Sequence, residues 1–101
     1  MKNYVAIAIL LMTATRAYAA PLQEGQLEWA HCSWKIFDEY GLKHLQEKVV
    51  FGNSQSLSSA EYEKWEDFDI RMVDSVCGDS LKIFSHDPGA RYEALRQTHT
   101  E

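Results

Sequence analysis

Two cysteines, Cys32 and Cys77, constrain this chain more than any other feature. They are its only thiols, so within one chain they can bond in one way. Whether they do depends on the compartment, and the opening residues address that. "MKNYVAIAILLMTATRAYA" carries a charge at Lys2, then about a dozen mostly apolar residues from Tyr4, then small residues at Ala17-Tyr18-Ala19, the layout of a secretory signal peptide with an A-x-A cleavage site. The apolar run is shorter than the roughly 20 residues needed to span a bilayer. Residues 1–19 are therefore expected to be removed, leaving residues 20–101 as a single small helical domain without a membrane span. No cysteine lies near the cut, which argues against a lipid anchor, and there is no N-x-S/T acceptor. The expected location is periplasmic or secreted, where thiols oxidise.

A domain of this size has a marginal core and needs a staple. A Cys32–Cys77 bond closes a long loop and is worth about 4 kcal/mol in the chain-entropy model. A redox-active pair would prefer C-x-x-C, which is absent.

The staple has helices to join. From Leu22 to Tyr40 the apolar residues Leu22, Leu27, Trp29, Ala30, Trp34, Ile36, Phe37 and Tyr40 fill one arc of a helical wheel, with Cys32 at its edge. Gly41 is a natural stop. Leu42, Leu45 and Val49 share a face of a second helix that runs to Phe51, with a short strand at "KVVFG" as the alternative. Gly52 to Ser56 reads as a polar linker. Ser58 and Glu61 then form a capping box, with Leu57 and Tyr62 at the staple positions. Tyr62, Trp65, Phe68, Met72, Val73, Val76 and Cys77 follow at helical spacing, and Gly78 ends the run. "SLKIF" is one more turn or two, and Asp87 with Pro88 opens a last helix through Tyr92 and Leu95. The expected fold is all-α: a three-to-four-helix bundle clamped by one disulfide. The aromatic residues recur at helical spacing and are expected mainly in the core, with an exposed binding patch as the rival use.

Charge narrows the function. Removing Lys2 and Arg16 leaves eight basic residues against fifteen acidic ones, a net charge of −7 with histidines neutral. That disfavours nucleic acid and anionic membranes as partners; it suits another protein, basic in charge, and equally serves plain solubility. The predicted contact face is the acidic side of the central helix, Glu63, Asp67, Asp69 and Asp74, with aromatic anchors. Asp69 is the odd member, because it falls among the apolar positions. A bare carboxylate there is costly. It must be paired, hydrogen-bonded, near the surface or protonated; an indole or a tyrosine hydroxyl of another helix could donate to it, or it could face a partner's arginine.

Catalysis is not expected. The histidines His31, His44, His86 and His99 form neither H-x-x-x-H nor a zinc set. There is no nucleophile elbow, phosphate loop or calcium loop, so neither metal nor cofactor is expected. One stated test would revive an enzyme: Asp69 lining a pocket with a second converging polar group. The expected function is a non-catalytic protein-binding module, of the inhibitor or immunity type.

The layout also resembles the periplasmic acid-stress chaperones, in "W-x-x-C" at Trp29-Ala30-His31-Cys32 and in the spacing to Cys77; no further part of the chain shares in it. The resemblance implies a small helical domain, one disulfide joining distant helices, and rings uncovered in acid. Full protonation would take the charge from −7 to about +12, enough to loosen such a domain. An accessory part of an envelope secretion or conjugation system is a third reading, resting on location alone.

Overall fold

The computed structural model of the chain describes residues 21–52 and 57–99. The expected signal peptide, residues 1–19, lies outside them, as do residues 53–56 of the linker. Every regular element in the described residues is a helix. α1 spans Glu24–Glu39 and α2 spans Lys43–Phe51, which settles "KVVFG" as helix. α3 is one rod in three segments: α-helix Ser59–Phe68, a π-helical stretch Asp69–Val73, and a last turn Asp74–Cys77. α4 is the single turn Ser80–Ile83, and α5 spans Pro88–Thr98. The described residues thus hold five helices where three to four were expected. α4 stands apart because Gly78 breaks the rod and the Asp79 carboxylate caps the new turn, accepting from the Leu81 N–H at 3.0 Å.

The helix ends follow local chemistry. At the end of α1, Gly41 adopts φ 71°, and the N–H groups of Leu42 and Gly41 return to the carbonyls of Phe37 (2.7 Å) and Asp38 (3.0 Å), a Schellman closure. Ser58 and Glu61 cap α3 reciprocally, each side chain taking the other's backbone N–H at 3.1 Å. The Asp87 carboxylate caps α5, accepting from Gly89 and Ala90, with Pro88 at the first helical position. Gly78 sits at φ 109°, where a side chain would be strained, and an added Cβ would stand 3.0 Å from the Ile83 Cδ1.

α1 is the centre of the fold and touches all four other helices. Its Trp29, Ala30, Trp34, Ile36 and Phe37 are buried, with Trp65, Val73, Phe84, Ala94 and Leu95 packed around them. Each tryptophan is anchored by its indole N–H as well as by area. Trp29 donates to the Gly78 carbonyl (2.9 Å), Trp34 to the Leu95 carbonyl (2.9 Å) and Trp65 to the Gln46 Oε1 (2.8 Å). The rings therefore fix α1 against the end of α3 and against α5, and α3 against α2. Not all aromatics are core: Tyr40, Phe51 and Tyr62 are exposed.

Cys32 and Cys77 are bonded, their Cα atoms 5.7 Å apart, joining the middle of α1 to the end of α3. The π-helical stretch sets the phase of that second cysteine. Trp65, Asp69, Val73 and Cys77 form an inward row at a spacing of four. In a plain α-helix such a row drifts about 40° per step. The wider turn, in which the Asp74 N–H reaches the Asp69 carbonyl five residues back, takes the drift back. The same shift corrects the wheel. Val76, expected on the apolar face, is turned out to solvent, as is Ile70. Among the described residues no helix is long and apolar enough to cross a membrane.

Candidate functional site

The cap at Asp87 starts α5 so that Arg91 lies one turn in, facing α3. There it meets Asp69, the first residue of the π-helical stretch. The Arg91 Nη1 donates to the Asp69 Oδ2 at 3.2 Å, with 6 % of the aspartate side chain exposed and 19 % of the arginine. The partner of Asp69 is thus an arginine of its own chain. The indoles of the other helices, Trp29 and Trp34, donate to the carbonyls of Gly78 and Leu95 instead.

The pair is imperfectly satisfied. Burial pushes the Asp69 carboxyl up to about 6; Arg91 opposes the rise, while Asp74 and Glu66 add to it. The Arg91 Nε is buried with no hydrogen-bond partner among the described residues. Its guanidinium lies 5.7 Å from the Trp65 ring centre and 5.3 Å from that of Tyr92, within cation–π range.

A cleft of about 180 Å³ opens beside the pair, between α3, α4 and α5. Its charged lining is Glu66, Asp69, Asp74 and Arg91. Its apolar rim is Tyr62, Ile70 and Leu81, all exposed. On the far side of Leu81 a hollow of about 290 Å³ runs along Phe84, Asp87 and Pro88 and again reaches Arg91. A larger concavity, about 480 Å³, lies between α2, the start of α3 and Tyr92 of α5, and is edged by Gly52 and Leu57.

The four carboxylates expected to face a partner are not brought onto one face. Glu63 and Asp67 are exposed on the outer side of α3, where Asp67 pairs with Arg71 at 2.7 Å. Asp74 is half-buried at the cleft, and its Oδ1 accepts from the Ser80 N–H at 3.4 Å. Asp69 is turned inward and drops out of the outer face. Glu66 was overlooked, although Tyr62, Glu66 and Ile70 follow one another at i, i+4 and so share a row. Nothing local marked Arg91, whose partner is far away in the chain. Glu61 joins its cap to a second contact: the Lys48 Nζ lies 2.9 Å from its Oε2, tying α2 to α3. The backbone N–H at Ser58, then Lys48, hold its carboxyl down at about 2.

Chemically, Asp69 does line a cleft with a second converging polar group, so the test set for a catalytic carboxyl is met in part. One of its oxygens, Oδ2, is committed to Arg91. Among the described residues no group of three or more His, Cys, Asp or Glu side chains is placed to hold a metal ion. No family model matches the chain, and neither a curated protein nor a solved structure matches it.

Proposed function

We propose that this chain is an exported, non-catalytic protein-binding module, of the inhibitor or immunity type, acting on a basic partner outside the cytoplasm. One observation carries the reading: three large apolar side chains, Tyr62, Ile70 and Leu81, stand exposed around an acidic cleft, in a domain that has a buried core of its own. A monomer gains nothing by leaving them in water, whereas apolar anchors ringed by charge are the anatomy of a binding surface. The disulfide supports export, since such bonds persist in oxidising compartments.

The test is capture of partners by the immobilised, oxidised domain from periplasmic or secreted extracts at low and high salt, followed by rebinding of the purified partner. The expected result is a basic protein held less tightly at high salt, with Glu63→Gln and Asp67→Asn each weakening it modestly. A partner of acidic or neutral surface, or binding indifferent to salt, overturns the reading.

The acid-stress-chaperone reading is the weaker one. It needs the domain to loosen as pH falls through 6 to 4, the window in which Asp69 takes up a proton and thereby favours the fold. The secretion-accessory reading has its location alone to support it.

A further inference from the structure

We infer that the cleft between α3, α4 and α5 receives one lysine or arginine side chain, presented by a protein partner between aliphatic neighbours. This rests on the binding-module reading and names what the site would recognise.

The charge count gives the sign of the occupant. Three carboxylates, Glu66, Asp69 and Asp74, line the cleft against the single guanidinium of Arg91. Arg91 spends its charge on Asp69 and on the faces of Trp65 and Tyr92. The two carboxylates that remain are Glu66 on the exposed side of α3 and Asp74 at the junction with α4. A cation between them has a charge partner on either side; an anion has neither.

The rim and the volume give its shape. About 180 Å³ admits one long side chain, whereas an α-helix with side chains is about 10–12 Å across and does not fit. Lysine and arginine carry an aliphatic stem below a charged head and lay the stem along apolar surface. Tyr62, Ile70 and Leu81 supply that surface, and aliphatic neighbours in the partner would cover what the stem leaves open. A small free cation such as a metal ion would leave this apolar rim in water, which is why a protein side chain is the better occupant.

The experiment is an NMR titration of the oxidised domain with capped peptides Leu-Lys-Leu-Leu, its arginine counterpart, and controls with norleucine or glutamate in place of the lysine. The expected result is saturable shifts at Glu66, Ile70, Asp74 and Leu81 with the two cationic peptides only. Glu66→Gln with Asp74→Asn should weaken that binding about tenfold, the equivalent of 1.4 kcal/mol. Glu63→Gln with Asp67→Asn should change it less than about twofold, in line with exposed surface charges. Thermal midpoints of the variants report that each is folded.

Equal binding of the norleucine peptide, preferential binding of the glutamate peptide, shifts centred elsewhere, concentration-dependent self-association that accounts for the shifts, or no shifts at all overturns the inference. Repeating the partner capture with both double variants separates the two levels. If a basic partner is held and only the Glu63/Asp67 variant releases it, the binding module stands and the cleft does not. If no basic partner is held by the parent domain, the module reading itself falls.

Discussion

α3 buries two polar clusters one turn apart, and they are built in opposite ways. At Trp65 the cluster is neutral and closed. The indole donates to the Gln46 Oε1 at 2.8 Å, and the Gln46 Nε2 donates to the Ser33 Oγ at 2.9 Å, so one relay runs from α3 through α2 to α1. Gln46 and Ser33 are wholly buried. At Asp69 the cluster is charged and open. It holds one ion pair at 3.2 Å, an unpartnered Nε, and a cleft alongside. The contrast teaches where each kind of polar group suits a small domain. Neutral donors and acceptors lose little on burial once matched, and they specify how helices meet. A buried ion pair is a poor stabiliser, and this one, at the edge of a cleft, fits the binding surface proposed above.

Removing one member from each cluster should break the comparison most sharply. Arg91→Ala strands the Asp69 carboxylate and should cost about 4 kcal/mol at pH 7. The loss should shrink at pH 4.5, where Asp69 is mostly protonated, leaving the smaller loss of the contacts with Trp65 and Tyr92. Urea denaturation at the two pH values checks this. Gln46→Ala leaves the Trp65 N–H and the Ser33 hydroxyl unmatched over a small cavity, and should cost about 3 kcal/mol. That loss should be the same at both pH values, because nothing in the relay titrates there. Equal pH dependence in the two variants would erase the distinction drawn between the clusters.

A third effect sharpens the comparison through its sign. The folded-state pKa of Asp69 stands at about 6 against a reference of 3.8. The native state therefore holds the extra proton between these values. The stabilising contribution is complete below about 4 and disappears as pH rises through 6, by about 3 kcal/mol. Asp69→Asn should flatten the stability curve over that window. Glu61 behaves oppositely: its folded pKa of about 2 lies below its reference of 4.5, so its contribution is present above 4.5 and is lost as pH falls toward 2. Between them, these two carboxylates of α3 contribute most stability near pH 4 to 5. A curve falling steadily from pH 7 to pH 4 would contradict this and restore the acid-loosening reading.

Much of this fold was legible because its punctuation is local. Ser58 with Glu61, Gly41, Gly78, and Asp87 with Pro88 each act within a turn or two, and each ends or begins a helix where expected. The cysteine pairing followed from there being two. What escaped needs information from far along the chain. A wheel at a fixed angle per residue has no way to place a π-helical stretch, so Val76 was assigned to the wrong side. Arg91 becomes the partner of Asp69 only once α5 lies across α3, and α4 contributes Leu81 to the cleft only because Gly78 turns the chain. The half of the site carried on α3 could have been found from the spacing of Tyr62, Glu66 and Ile70. The half contributed by α4 and α5 is a product of tertiary packing.

The widened turn and the covalent staple also hold each other in place. Relaxing Asp69–Val73 to an ordinary helical pitch at its present length would release the one extra residue that the wide turn absorbs and swing everything after it by about 100°. Cys77 would then be carried away from Cys32, so the chain at this length cannot shed the irregularity without giving up its crosslink. Deleting one residue from this stretch removes the irregularity and the swing together and should be tolerated with the crosslink intact, whereas a one-residue insertion should not, a coupling between chain length and crosslink that no single side-chain substitution would disclose.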